Sequence, residues 1–184
     1  MTVHVTSRRV ALAAAGGLLA ALSLSGAAQA ITDNIFRYAT AKTGHFSIDV
    51  MAMAPDRADA ANDYLISWSG ILSTGNALCF NTDVSLPNGA TMTRLSVWYT
   101  SGASSNPFVQ LVRHALADGT SNVIAFQTII DDSGTRKQRN LAIPNNSLAK
   151  VKSGPYTYGF GVCLGSDTVF HGARVTCTYT HAGD

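Results

Sequence analysis

Glutamate is absent from this 184-residue chain; all eleven acidic residues are aspartates. Glutamate is a good helix former, whereas aspartate favours turns and caps, so its absence argues for strands joined by turns. Glutamate is also missing from every catalytic role. Glycoside hydrolysis commonly draws on it, although aspartate can serve, so a hydrolytic reading loses weight without being excluded. Charge is sparse, at 13% of residues, and the longest basic cluster is Arg136-Lys137-Gln138-Arg139, just after Asp131-Asp132. Electrostatic capture of nucleic acid or of an anionic membrane calls for a stronger basic patch. Cysteine is scarce and odd in number: Cys79, Cys163 and Cys177. There is no Cys-x-x-Cys or His-x-His spacing for a metal, and His45, His114, His171 and His181 are scattered. No Gly-x-Ser-x-Gly marks a nucleophile, and the serines cluster in loops such as Ser104-Ser105.

The main apolar run stands at the start. Arg8 and Arg9 precede an Ala/Leu/Gly stretch from Val10 to Leu24, and Ala28-Gln29-Ala30 is a small-x-small cleavage pattern. This is the layout of an export signal over residues 1–30. The stretch is too short to cross ~30 Å of hydrocarbon, so membrane insertion is not expected. Ser7-Arg8-Arg9-Val10-Ala11 approximates a twin-arginine pattern, but Ala11 stands where a bulky apolar residue is usual, which favours general secretion. Removing the signal leaves 154 residues in which eleven basic side chains balance eleven aspartates. The formal +2 charge belongs to the precursor. A chain of that size supports one domain with its own core.

Residues 31–44 show little periodicity and read as an extended arm before a single domain over 45–184. Strand signals begin at His45: Phe46, Ile48 and Val50 alternate with polar residues, and the run continues through Met53 to Pro55. Asp56 to Asn62 is the one candidate for a helical turn. Leu78–Val84 is followed by Pro87-Asn88-Gly89, a strong turn signal. In Met92–Thr100, Leu95, Val97 and Tyr99 share one face while Arg94, Ser96 and Trp98 share the other. Phe108–Ala115 and Val123–Ile130 flank the hairpin signal Asp118-Gly119. Tyr156, Tyr158, Phe160, Val162 and Leu164 alternate cleanly, as do Ala173, Val175, Cys177 and Tyr179. About seven to nine short strands with a turn every ten or so residues indicate an all-β, antiparallel, jelly-roll-like β-sandwich.

Export makes a disulfide plausible, with one thiol left over. If Gly165-Ser166-Asp167-Thr168 closes a hairpin, Cys163 faces Phe170. Cys177 then lies seven residues further on, roughly 23 Å at strand rise, far beyond bridging distance. The expected bridge is therefore Cys79–Cys163, with Cys177 reduced in the last strand.

The run Cys79-Phe80-Asn81-Thr82-Asp83-Val84-Ser85-Leu86-Pro87-Asn88-Gly89-Ala90, with Val109-Gln110-Leu111-Val112-Arg113 after it, carries a resemblance. So does Tyr156-Thr157-Tyr158-Gly159-Phe160-Gly161-Val162-Cys163-Leu164 followed by Phe170-His171-Gly172-Ala173-Arg174-Val175. Together they resemble a loose group of small exported bacterial β-sandwich proteins of unassigned function. The resemblance covers most of residues 45–179 and implies the fold and the same Cys79–Cys163 pairing. It implies no activity and no role for Cys177.

Candidate binding residues are the exposed aromatics. Trp98 falls on the polar parity of its strand, and Trp68 lies near a turn with Tyr64 close by. Aromatics on a β-sandwich offer a flat apolar face with a polar edge, suited to stacking on sugar rings. Arg94, Arg113 and Arg174 lie mid-strand and form a second candidate group, for anions. Asp131-Asp132-Ser133-Gly134, Asn81-Thr82-Asp83 and Asp167 place oxygen ligands in turns, where a structural calcium ion could sit. The reading that results is a secreted, non-enzymatic binding or surface-interaction module for a glycan or a protein. A structural or oligomer-forming extracellular protein stands second, and a secreted hydrolase using aspartate third.

Overall fold

The computed structural model describes residues 37–57, 63–75, 77–101, 106–131 and 133–181. The export signal over 1–30, the start of the arm and most of the helical turn expected at 56–62 lie outside the described residues. The chain divides into Met1–Tyr38, of which Arg37 and Tyr38 are described, and Ala39–Asp184, which carries the fold.

Among the described residues eleven strands form: β1 (Arg37–Ile48), β2 (Ala54–Pro55), β3 (Tyr64–Ser67), β4 (Gly70–Ser73), β5 (Leu78–Asp83), β6 (Thr91–Thr100), β7 (Phe108–Ala115), β8 (Ser121–Thr128), β9 (Lys137–Ala142), β10 (Tyr156–Leu164) and β11 (Val169–His181). One sheet runs β3-β4-β11-β6-β9, with β1 also on β11; the other runs β2-β5-β10-β7-β8. The antiparallel β-sandwich expected from the pattern is what forms. Three of the eleven are short pieces, the two residues of β2 and the four each of β3 and β4.

Period-two alternation builds the core. Leu95, Val97 and Tyr99 of β6 are fully buried, and so, or nearly so, are Tyr158, Phe160, Val162 and Leu164 of β10. The two layers interlock where Phe160 stacks on Phe170, with ring centroids 5.6 Å apart. Tyr64 and Phe80 meet edge to face across the same interior at 5.2 Å. Such contacts add about 0.5–1.5 kcal/mol to the burial of the rings themselves.

Successive strands mostly change sheets. Among the described strands only β3–β4 and β7–β8 are hairpins between chain neighbours. The second carries the expected Asp118-Gly119 turn, with Gly119 at φ 71° and the Asp118 carboxylate accepting from Thr120 N–H at 2.9 Å. The hairpin expected at Gly165–Thr168 does not form. That turn carries the chain from β10 in the five-stranded sheet to β11 in the six-stranded one, so Cys163 is not opposite Phe170. The reason is burial: both strands alternate, and facing Phe160 toward Phe170 across the interior covers both apolar sides at once. Pro87-Asn88-Gly89 is likewise a crossing turn, closed by Ala90 N–H donating to Pro87 O.

The strand expected from His45 begins earlier, at Arg37, and stops at Ile48. The Asp49 carboxylate accepts from Met51 N–H at 3.0 Å and caps a 3-10 turn over Val50–Ala52, which leads to β2 at the edge of the opposite sheet.

Cys79 and Cys163 are directly opposed on β5 and β10 and are bridged. Cys177, in the other sheet, is a buried free thiol whose S–H points at Gly44 O, 3.8 Å away. Closing a loop of 84 residues removes much conformational freedom from the unfolded chain. Replacing both Cys79 and Cys163 by alanine should lower unfolding stability by about 2–4 kcal/mol in guanidinium titrations.

Burial pushes the Cys177 thiol up, outweighing the contact with Gly44. A thiol whose folded pKa is raised contributes stability below its unfolded pKa, about 8.5, and that contribution is lost as pH rises further. Cys177→Ala should therefore show a shallower alkaline loss of stability than the parent. The native thiol should react with Ellman's reagent only on unfolding.

Candidate functional site

The three sequence-picked aromatics do not converge. Tyr64 turns inward against Phe80 and packs on the core. Trp98 lies on the outer face of the six-stranded sheet, half-buried, with the Arg174 guanidinium 5.2 Å from its ring centroid. Its partners across the strands are Gly172 and Gln138. Trp68 is in the β3–β4 turn and 90% exposed.

That turn is firmly built. Ser67 Oγ accepts from Ser69 N–H and hydrogen-bonds the Ser69 hydroxyl, and His171 Nδ1 bonds Ser69 O while its Nε2 bonds the Thr100 hydroxyl. Gly70 has φ 154°, and a Cβ there would lie 2.6 Å from Phe170 O, so only glycine fits. Trp68 is thus a single indole on a rigid tip.

The remaining polar candidates scatter too. Arg94 and Arg174 belong to the outer face of the six-stranded sheet, whereas Arg113 points inward from β7 in the other sheet. His45 bonds Thr176, and His114 bonds Ser121. Although β1 and β11 are neighbours, His45 and His171 are engaged at different levels of β11. The Asp131 carboxylate accepts from Ser133 N–H and pairs with Lys137 at 3.7 Å; its hydrogen bonds to Ser133, with Lys137 and Arg139 adding attraction, hold its pKa below the usual range. Among the described residues no three His, Cys, Asp or Glu side chains come together to hold an ion.

What the structure does assemble is a groove on the outer face of the five-stranded sheet. Along β10 the inward positions are aromatic or aliphatic, while outward positions 159 and 161 are glycine. Pairing sets these beside the polar side chains of the neighbouring strands. Gly161 lies between Asn81 of β5 and Gln110 of β7, and Gly159 lies between Asp83 and Val112.

Asn81 and Gln110 lean over Gly161: a Cβ there would come within 2.8 Å of Asn81 Oδ1 and 3.4 Å of Gln110 Nε2. They close one end. Gly159 stays open, with Val112 Cγ2 and His114 Nε2 at 3.5 and 3.7 Å from where its Cβ would be. The resulting cavity is about 740 Å³, bounded by Asn81, Asp83, Gln110, His114 and Ser121 with apolar Ala52, Ala54, Val112 and Val123 between them.

The 2.6 Å bond between His114 Nδ1 and Ser121 Oγ fixes the imidazole, leaving Nε2 toward the floor. Phe126, 55% exposed, is directly across from Gln110 and touches Phe108 at 5.3 Å. In the sequence Asn81 and Asp83 stand out only as turn ligands for calcium, and they lie in strand β5 instead; Gln110, His114, Ser121 and the glycine floor do not stand out as a site. The signal was there in Tyr158-Gly159-Phe160-Gly161, where aromatics occupy one parity and glycines the other.

No family model matches the chain, and no curated protein matches it. Solved structures with a similar strand layout include a xylan-binding module, CBM15, with TM-score 0.48 and 10% identity over 78% of this chain and 99% of that one. Another is the C-terminal CBM6 of LamC, a marine laminarinase from Zobellia galactanivorans, with TM-score 0.43 and 10% identity over 72% and 99%. A third is the K3 cleaved adhesin domain of Lys-gingipain from Porphyromonas gingivalis, with TM-score 0.42 and 13% identity over 73% and 99%.

Proposed function

We propose that this chain is a non-catalytic binding module that works outside the cell and takes a neutral carbohydrate chain into the groove of the five-stranded sheet. The observation that carries the reading is the composition of that groove. Its floor is stripped of side chains at Gly159, and its walls present amides, a hydroxyl, an imidazole and a carboxylate beside small apolar patches. Sugars offer alternating hydroxyl and C–H surface; amides match hydroxyls as both donors and acceptors, and a carboxylate accepts from them.

Among the described residues no Lys or Arg lines the cavity, so an anionic ligand finds no counter-charge there. Asp83 is, among the described residues, the single carboxylate lining it, whereas glycosidic hydrolysis employs a pair. That favours retention of a glycan over cleavage. The bridged Cys79 and Cys163 suit an oxidising compartment and support export.

Isothermal titration of the purified, oxidised chain against soluble xylan, mannan and β-glucan, with polygalacturonate as the charged control, tests this. Binding to a neutral polymer is expected. Asn81→Ala and Gln110→Ala should each weaken it about fivefold, the loss of roughly 1 kcal/mol per hydrogen bond. Gly159→Val, whose Cβ meets only ordinary contacts, should fill the floor and abolish binding while the melting profile is kept. Affinity that follows Trp68→Ala and ignores the groove variants would move the site to the other sheet.

A further inference from the structure

Strand β8 carries a bulge that decides which of its side chains reach the groove. Gln110 pairs with Phe126 and Leu111 with Ala125, but Val112 pairs with Val123, so Ile124 is an extra residue between them. Ile124 and Ala125 are both buried, while Val123 and Phe126 stand on the outward face. A strand alternating strictly from Val123 would turn Ala125 outward and Phe126 inward. The bulge does the reverse. The small alanine enters the interior, and the phenyl ring is displayed, 55% exposed. A buried phenylalanine is among the larger gains open to a core position, so displaying it calls for another use.

Register places that ring on the same face as the groove. One row across the sheet reads Asn81 of β5, Gly161 of β10, Gln110 of β7 and Phe126 of β8. The next row reads Asp83, Gly159, Val112 and Val123. Directly opposed residues share a face, and all of these except Gly161 and Phe126 line the cavity. Val123, 51% exposed, is the apolar rim at β8, and Phe126 is the next outward residue along that strand. Phe126 therefore continues the wall. Its ring rests against the half-buried Phe108, with centroids 5.3 Å apart, and Phe108 is paired with the bridged Cys163. Backed on that side, the ring keeps the rest of its surface for a ligand.

We infer that Phe126, turned outward by the β8 bulge and backed by Phe108, is the stacking platform of the groove. The bound glycan then lies across the strands, hydrogen-bonded at β5 and stacked at β8. This rests on the carbohydrate-binding reading above. The two walls differ in chemistry: Asn81 and Asp83 offer an amide and a carboxylate, whereas Val112, Val123 and Phe126 offer hydrocarbon. An amide or carboxylate engages sugar hydroxyls, and a flat ring takes the C–H face of a pyranose. From β5 to β8 is three strand spacings, about 14 Å, so a ligand that uses both walls must bridge them over the bare floor at Gly159.

The test is titration of xylohexaose, mannohexaose and cellohexaose into the purified, oxidised chain and its variants. Phe126→Ala should lower affinity about five- to tenfold, the loss of one aromatic stack, with the melting profile kept. Phe126→Leu, which keeps apolar area without a flat face, should stay near the Phe126→Ala value, and Phe126→Trp should restore parent affinity. Fluorescence gives an independent readout. Trp68 and Trp98 belong to the other sheet, so the parent's emission should not respond to the sugar, whereas that of Phe126→Trp should shift. Parent-like affinity in Phe126→Ala or Phe126→Leu, with affinity still lost in Asn81→Ala, overturns the platform and leaves the groove standing. A dimer in light scattering that Phe126→Ala dissolves without altering sugar affinity also overturns it, and assigns the ring to a second copy of the chain. If no hexasaccharide binds the parent, the groove reading falls and the platform with it.

Discussion

Strand β10 must satisfy opposite demands on its two sides, and much of the molecule follows from how it does so. Its inward positions carry Tyr158, Phe160, Val162 and Leu164, which fill the interior and reach Phe170 of the opposing sheet. Its outward positions carry Gly159, Gly161 and Cys163. With β5 on one side and β7 on the other, this central strand sets the level of every wall residue of the groove. Glycine weakens a strand by itself, but here each glycine is flanked by residues that bury deeply, and the disulfide to Cys79 ties the same strand covalently. The strand that gives up side chains on one face is the one most heavily anchored on the other.

The strand pattern and class were legible because alternation is a local property. Leu95, Val97 and Tyr99 declare their face without reference to any neighbour. Connectivity is not local in that sense. Gly165-Ser166-Asp167-Thr168 reads as a hairpin, yet it crosses between sheets, because the decision rests on whether Phe170 gains more beside Phe160 or across from it. Asp118-Gly119 has the same kind of signal and does make a hairpin. The Cys79–Cys163 pairing came out as expected although the local geometry assumed for Cys163 did not. Cys163 and Cys177 are kept apart by lying in different sheets rather than by distance along one hairpin.

The site was less legible than the fold. Large aromatics draw attention in a sequence, but Tyr64 has an inward parity that places it in the core, and Trp98 is covered by Arg174. The groove is defined by what is missing from Gly159, and its walls come from strands far apart in sequence, Asn81 and Asp83 on β5 with Gln110 and His114 on β7. Each wall residue by itself is an ordinary polar strand residue. Only the register of three strands makes them one surface. Arg113 shows the same limit: its mid-strand position gave no hint that its guanidinium would rest on Tyr156.

The separation of parities along β5, β7 and β10 also bears on how such a surface can change over time. Asn81, Gln110, His114 and Ser121 stand on the outward side, while their neighbours in sequence hold the interior. Substitutions at exposed strand positions away from special contacts usually shift stability by no more than about 0.5 kcal/mol. The walls are therefore open to drift and selection at little risk to folding, whereas the inward parity is constrained by packing and Gly161 by space. A lineage built on this scaffold can exchange one ligand for another by rewriting a handful of outward residues, keeping its core sequence nearly constant as it does so.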